Sequence, residues 1–232
     1  MTIASAVETA LTTPQRLVAR AEVLAKPSAV PAEAGIYGWY FRGLQGLVPM
    51  DACHEHEGWK LAYAGISPKN ERSTQTLRAR LRYHFKGNAE GSTLRLTLGC
   101  LLQEELGLEL RRVGSGNRLT FHTGEPVLSE LMNGHARVVW CTYPQPWTVE
   151  PAVIRNLDLP LNLQGNAHHA CPLSLPASER ERGGTRANST PSTEPSNASR
   201  ERQAARLAKK CPSGSHRITS LTDQPGCVEG CM

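Results

Sequence analysis

Side chains that can act on a phosphodiester are concentrated between Leu61 and Phe85, in the stretch LAYAGISPKNERSTQTLRARLRYHF. A tyrosine, Tyr63, lies in a strand-like run at its start, and three arginines follow in a helix-like run. Arginine suits phosphate because its charge is permanent and its planar fork matches phosphate oxygens. The stretch therefore indicates a site that cuts phosphodiester bonds, with Arg80 best placed to neutralise the phosphoryl oxygens.

The other two arginines, Arg78 and Arg82, point away from Arg80 on a helix and are predicted to hold flanking phosphates. Taken alone, any of the three is more often a solvated residue on a helix surface. Their interpretation as substrate contacts depends on the rest of the site.

Tyrosine can help to deprotonate water only where its surroundings favour the phenolate, because its free pKa is about 10. Tyr37 and Tyr63 belong to two neighbouring predicted strands and are both expected to face the arginine-rich helix. Taken singly, each is more often a half-buried aromatic residue of a strand.

A divalent ion of the Mg²⁺ or Mn²⁺ type requires oxygen ligands, and Glu150 is the candidate. Glu71 is nearer in sequence to the central stretch but lies in a loop. Glu150 opens the helix that follows the last predicted strand, where a carboxylate also complements the helix dipole. The capping role and the ligand role remain open at this point.

Seven cysteines are scattered without a CxxC pair, so structural zinc and a disulfide framework are both poor interpretations. Cys53, His54 and His56 cluster in one loop, which allows a metal site. A solvated loop with a free thiol is the favoured interpretation.

The elements that must position these residues begin with two strands, 36–41 (IYGWYF) and 59–64 (WKLAYA). They are expected to pair antiparallel as a hairpin with a long loop. A helix over about 75–85 follows, and its residues Leu77, Leu81 and Phe85 share a buried stripe. Arg80 and His84 lie along one edge of that stripe.

The remaining predicted elements follow from apolar periodicity, caps and turns. The strand at 137–143 has apolar residues on both faces and is expected to be central. The others are an amphipathic helix from 14 to 26, a helix over 92–106, strand pieces at 108–112 and 118–122, a short helix over 126–133, a helix over about 149–157 and an extended segment at 159–162.

Composition divides the 232 residues into three predicted parts: a helix and linker at 1–30, a domain at 31–175 and a tail at 176–232. The tail is rich in Ser, Pro and Arg and is expected to be disordered, because it cannot bury enough apolar surface. No transmembrane run and no secretory signal is expected, so the predicted location is cytoplasmic and no membrane partner is predicted. The net charge of +5 is weak support for a nucleic-acid partner.

Five elements occur in a specific order: Gly35-Ile36-Tyr37, Tyr63-Ala64-Gly65, the helix LRARLRYHF with Arg80 and His84, then Glu150 and Asn162. Together they resemble the GIY-YIG nuclease superfamily over roughly residues 33–166. The stretch GNAEGSTLRLTLGCLL, with the ending LDLPLN, is similar to a bacterial group of stand-alone GIY-YIG domains.

The resemblance implies an α/β fold of the α+β type, in which helices flank a three-stranded antiparallel sheet. It also implies a single Mg²⁺ or Mn²⁺ ion held by Glu150, and a DNA substrate. The implied roles are general base or relay for Tyr37, orientation of water or phosphate for Tyr63, transition-state stabilisation for Arg80, hydrogen-bonding support for His84 and bracing of the metal-bearing helix end for Asn162.

Two departures from the family pattern stand out. The loop between Tyr37 and Tyr63 is much longer than the roughly ten residues typical of the family. Ile66 follows the second glycine, where some members have lysine, so Lys69 would have to substitute. The predicted substrate contacts are Lys69, Arg78, Arg82 and Asn162.

The predicted function is that of a metal-dependent endonuclease acting on DNA. The alternative is a catalytically weak or inactive module that binds nucleic acid on the same scaffold. A third, weaker hypothesis is a protein-interaction domain.

Overall fold

The computed structural model describes residues 2–114 and 118–162, and these form seven α-helices around a four-stranded antiparallel sheet. The helices are α1 Ile3–Thr12, α2 Arg20–Leu24, α3 Leu77–Lys86, α4 Thr93–Leu101, α5 Gln103–Leu106, α6 Glu125–His135 and α7 Glu150–Asn156. The strands are β1 Gly35–Phe41, β2 Glu55–His56, β3 Trp59–Ser67, β4 Arg111–Val113, β5 Arg118–Thr120 and β6 Ala136–Thr142.

The main sheet has the order β2-β3-β1-β6, and β4 and β5 form a separate hairpin. The α+β class with flanking helices is confirmed, but the expected number of three strands is wrong. The fourth strand, β2, arises because the end of the long loop pairs Glu55 with Lys60 and His56 with Trp59.

The expected central position of the strand at 137–143 is also wrong, because β1 lies in the middle and β6 lies outside it. Helices cover both faces of the sheet, so apolar residues on both sides of a strand do not require a central position. Val18 pairs with Val138 through two backbone hydrogen bonds of 2.9 and 3.0 Å and covers the outer edge of β6.

The two faces of the sheet bury separate layers. Tyr37, Trp39 and Phe41 alternate along β1 into a first layer, which contains the buried leucines of α3, α4 and α6. Ile36 and Tyr40 lie in a second layer with α1 and α7. Tyr63 lies opposite Trp39 and enters the first layer. The β1–β3 register shifts after this pair, so Leu61 lies opposite Tyr40 and enters the second layer.

Helix α3 matches the predicted helix closely. Thr76 caps it by accepting the backbone N–H of Ala79, and Leu77, Leu81 and Phe85 are fully buried. The apolar stripe holds α3 against β1 and β3, and it carries Arg80 and His84 into the interior.

The N-terminal segment differs from the prediction of one helix over 14–26. Helix α1 ends at Thr12, and α2 covers only Arg20–Leu24. Val7 and Leu11 of α1 are buried in the second layer, whereas the chain around Val18 is extended to pair with β6. The predicted helix over 92–106 is divided at Leu102 into α4 and α5.

The long loop before β3 is largely exposed but packs four residues into the core. The thiol of Cys53 is free, as expected, but it is buried together with Leu44, Val48 and Met50 rather than solvated. His54 contacts the carbonyl of Thr12 at 2.6 Å. Within the described residues, no three His, Cys, Asp or Glu side chains are grouped to hold a metal ion.

The segment that ends the described chain lies along the outer edge of β3. The backbone N–H of Leu161 donates to Ala62 at 3.0 Å. The Asn162 amide accepts the N–H of Ala64 and donates to its carbonyl, both at 2.8 Å. The predicted disordered tail at 176–232 lies outside the described residues.

None of the helices in the described ranges has the length and apolarity needed to cross a membrane.

Arg95 is a fully buried charge between α4, α3 and α6. Its guanidinium donates to the Glu125 carboxylate through Nε at 3.1 Å and Nη2 at 2.7 Å. It also donates to the backbone carbonyls of His84 and Glu125 and to the hydroxyl of Ser129. Burial of a charge is tolerated only with such pairing, so Arg95 fixes how the three helices meet.

Replacing Arg95 with methionine is expected to lower the free energy of unfolding by about 3–5 kcal/mol, because Glu125 then loses its charged partner. Arg16→Met breaks an exposed ion pair with Glu22 and is expected to change the free energy of unfolding by about 1 kcal/mol or less. Urea unfolding followed by tryptophan fluorescence measures both. Equal effects of the two substitutions would contradict the role given to Arg95.

Candidate active site

The hydroxyl of Tyr37 is the point at which the predicted site residues meet. Tyr37 is buried on β1, and its hydroxyl lies 2.8 Å from Nε2 of His84 and accepts Nε–H of Arg80 at 3.3 Å. Arg80 and His84 are four residues apart on α3 and so share one face of the helix. Helical spacing on α3 and strand alternation on β1 therefore bring the three side chains together.

Gly65 makes room for this arrangement. It lies directly opposite Tyr37 in the β1–β3 register. A Cβ atom at Gly65 would lie 2.7 Å from the Tyr37 hydroxyl oxygen and 3.0 Å from the ring of Tyr63. The glycine thus leaves the space that the hydroxyl occupies.

His84 is held from its other side by Ser92, whose hydroxyl lies 2.7 Å from Nδ1. This hydroxyl accepts the backbone N–H of Arg95 at 3.1 Å, so its proton is available for Nδ1. With Nδ1 as an acceptor, His84 donates Nε2–H to Tyr37. The Tyr37 oxygen then accepts two N–H groups, and its own proton is free for a third partner.

His84 is neutral in this setting. Burial lowers its pKa well below the usual 6.5, and the charges of Arg80 and Arg95 lower it further. The imidazole therefore acts as a fixed hydrogen-bonding group.

Both tyrosines are phenols rather than phenolates. Burial raises the pKa of Tyr37 far above its usual value of 10, and Arg80 opposes this only in part. Burial also raises the pKa of Tyr63, whose hydroxyl lies 3.0 Å from that of Thr93. The Tyr63 ring packs edge-on to the His84 ring at 6.3 Å.

Arg80 is only 9% exposed and is held on two sides. Its Nε donates to Tyr37, and its Nη1 donates to the backbone carbonyl of Gly91 at 2.8 Å. In the described part of the chain, Nη2 has no hydrogen-bond partner. A rigid guanidinium with one free edge is suited to a phosphoryl oxygen.

Glu150 begins α7 and is half-buried. Burial raises the pKa of its carboxyl group, and Lys69 opposes the increase. Glu150 lies close enough to raise the pKa of both Tyr37 and Tyr63 electrostatically. Among the described residues no donor bonds its carboxylate, so these oxygens fit a Mg²⁺ or Mn²⁺ ion that keeps several waters.

The remaining predicted site residues lie at different distances from this cluster. Lys69 is exposed, and its positive charge opposes the rise in the pKa of Glu150. The side-chain amide of Asn162 is bonded to the backbone of Ala64. Arg78 donates to the carbonyl of Val30, and Arg82 donates to the carbonyls of residues 24 and 25. The structure therefore does not bring Arg78 and Arg82 to the Tyr37 hydroxyl.

A short segment at the start of α4 contributes contacts that sequence reasoning missed. The backbone carbonyl of Gly91 accepts a hydrogen bond from Arg80. The hydroxyls of Ser92 and Thr93 contact the His84 ring and the Tyr63 hydroxyl, respectively. Two signals for it were present: Ser92 is a favoured helix cap, and Arg95 interrupts the leucines of α4.

Comparison with known proteins gives one family. A family model described as the GIY-YIG catalytic domain matches residues 35–175, more than half of the chain. No curated protein and no solved structure matches. The matched range includes β1, β3, α3 and α7, which carry the residues described above.

Gly65→Ala is expected to lower the free energy of unfolding by about 1–3 kcal/mol, because the added methyl group displaces the Tyr37 hydroxyl. Gly134 is the matched control, since nothing lies within 4 Å of a Cβ built there in α6. Gly134→Ala should be neutral or stabilising by up to about 1 kcal/mol. Thermal unfolding of both variants tests this, and equal melting temperatures would contradict it.

The buried neutral His84 also predicts a pH effect. Its folded pKa is depressed, so the unfolded chain takes up a proton first as pH falls below 6.5. The contribution of neutral His84 to the free energy of unfolding is therefore complete above pH 6.5 and is lost progressively below it. His84→Gln removes this effect, so the stability difference between wild type and variant should shrink by about 1.4 kcal/mol from pH 7.5 to 5.5.

Urea unfolding at the two pH values measures this difference, and general destabilisation by the substitution cancels between them. A difference that is constant with pH would show that His84 titrates normally.

Proposed function

Because the chain belongs to the family of GIY-YIG catalytic domains, which are nucleases, we propose that it is a metal-dependent endonuclease that hydrolyses DNA phosphodiester bonds. The observation that carries this proposal is the Tyr37 hydroxyl, which contacts Arg80 and His84 and lies near enough to Glu150 for that carboxylate to raise its pKa. Each of these groups has a part in the proposed reaction.

Arg80 binds the phosphoryl group that is attacked. Two of its nitrogens are held by Tyr37 and Gly91, so its charge is already in position before substrate binds. The free Nη2 edge contacts a phosphoryl oxygen and stabilises the charge that grows there in the transition state.

Tyr37 orients the attacking water and receives its proton. The hydroxyl oxygen accepts N–H groups from Arg80 and His84, so its own O–H is directed to the water. The same two donors stabilise the phenolate that forms when Tyr37, with substrate bound, gives its proton to solvent. The phenolate then takes up a proton of the attacking water and becomes a phenol again. Tyr63, held by Thr93, orients the water or phosphate beside it.

Glu150 would hold the Mg²⁺ or Mn²⁺ ion through its carboxylate. The bound ion would supply positive charge to the phosphoryl group and to the leaving oxygen. Asn162 braces β3 from outside, next to Tyr63, and Lys69 contacts substrate beside Glu150. Contacts of Arg78 and Arg82 with flanking phosphates stay predictions, and both side chains bond backbone carbonyls in this structure.

Nicking of supercoiled plasmid in Mg²⁺ or Mn²⁺ tests the proposal. Arg80→Ala and Glu150→Ala are each expected to reduce the rate by about 100-fold or more, as loss of a positioned charge-stabilising group does in other enzymes. Arg112→Ala, on the exposed hairpin strand β4, is the matched control and should retain the wild-type rate.

A wild-type protein that nicks no better than the Arg80 and Glu150 variants would overturn the endonuclease proposal. Salt-dependent DNA binding that survives Glu150→Ala without cleavage would instead support the binding-module alternative.

A further inference from the structure

A cavity of about 480 Å³ includes Arg80 in its lining. Its size is within the range of ligand sites, about 300–1,000 Å³. Its lining consists of Gln75, Arg80, Tyr83, Glu90, Gly91 and Arg118. Arg80 therefore belongs to both the candidate active site and this cavity, which is referred to below as the Tyr83 cavity.

Tyr83 provides an aromatic surface that is already fixed. Its hydroxyl donates to the Asn88 side chain at 2.9 Å, and its ring lies against Gly87 and Gly91, where an added Cβ would overlap it. The residue is nevertheless 37% exposed, one of two large apolar residues exposed in the described ranges. An ordered ring open to solvent beside a phosphate-binding arginine is suited to stacking with a base.

Hydrogen-bonding groups for a base line the Tyr83 cavity beside its two arginines. Glu90 is partly buried, and one of its oxygens pairs with Arg118 at 2.7 Å. Its carboxylate accepts N–H groups such as the amino group of cytosine. Gln75 offers a further amide for hydrogen bonding.

We propose that the Tyr83 cavity receives an unpaired base of the substrate, next to the phosphate that Arg80 binds. This deepens, and rests on, the proposed nuclease function. A base that stacks on a side chain must leave the stack of its own helix. The substrate class is therefore DNA with an unpaired nucleotide beside the cut, and a base with an amino group fits better than thymine.

The experiment uses the full chain without divalent ions, so that binding is measured apart from cleavage. The probes are a DNA duplex with a short gap that contains unpaired 2-aminopurine, and the same sequence fully paired. Wild type and Tyr83→Phe, which keeps the ring, should quench the 2-aminopurine fluorescence. Tyr83→Leu should not quench it and should bind the gapped duplex about 5- to 150-fold more weakly.

Affinity for the paired duplex should be the same for wild type and Tyr83→Leu. Ile3→Ala, which truncates the other exposed apolar residue, is the control and should behave as wild type on both probes. Glu90→Gln should remove the preference for unpaired cytosine over thymine. Equal binding of gapped DNA by wild type and Tyr83→Leu, without quenching, would overturn the inference even if plasmid is nicked.

Quenching that depends on Tyr83 supports the inference even if no cleavage is found, in which case only the nuclease proposal fails.

Discussion

The structure depends on the fully buried charge of Arg95. A guanidinium removed from water is stable only when its N–H groups are bonded, and here they reach α3 and α6 from α4. The backbone N–H of the same residue holds the Ser92 hydroxyl that supports His84. Helix packing and the position of the imidazole are therefore consequences of the same residue.

This arrangement explains why the site contains groups that are hard to ionise. His84 lies near two arginines and stays neutral, and Tyr37 is buried deeply enough to stay a phenol. Neither residue needs to change charge before substrate arrives. In the proposed reaction, phosphate and metal are bound instead by the permanent charge of Arg80 and the carboxylate of Glu150.

The elements and site residues that could be predicted from the sequence are those that follow from local patterns. Strand alternation in β1 and the four-residue spacing in α3 are visible in sequence, so the placement of Tyr37, Arg80 and His84 on facing elements could be anticipated. The edge position of β6 could not, because helices cover both faces of the sheet and an edge strand is then as apolar as a central one. The contacts of Ser92 and Arg95 are also tertiary, since they join α4 to residues that only packing brings near.

The coverage of the two sheet edges has a consequence for self-association. An uncovered strand presents unpaired N–H and C=O groups, to which a strand of another chain can add. Here Val18 occupies the β6 edge, and Leu161 with Asn162 occupies the β3 edge beyond β2. At these positions the protein's own chain takes the place of an added strand, so a strand of a second copy cannot add there.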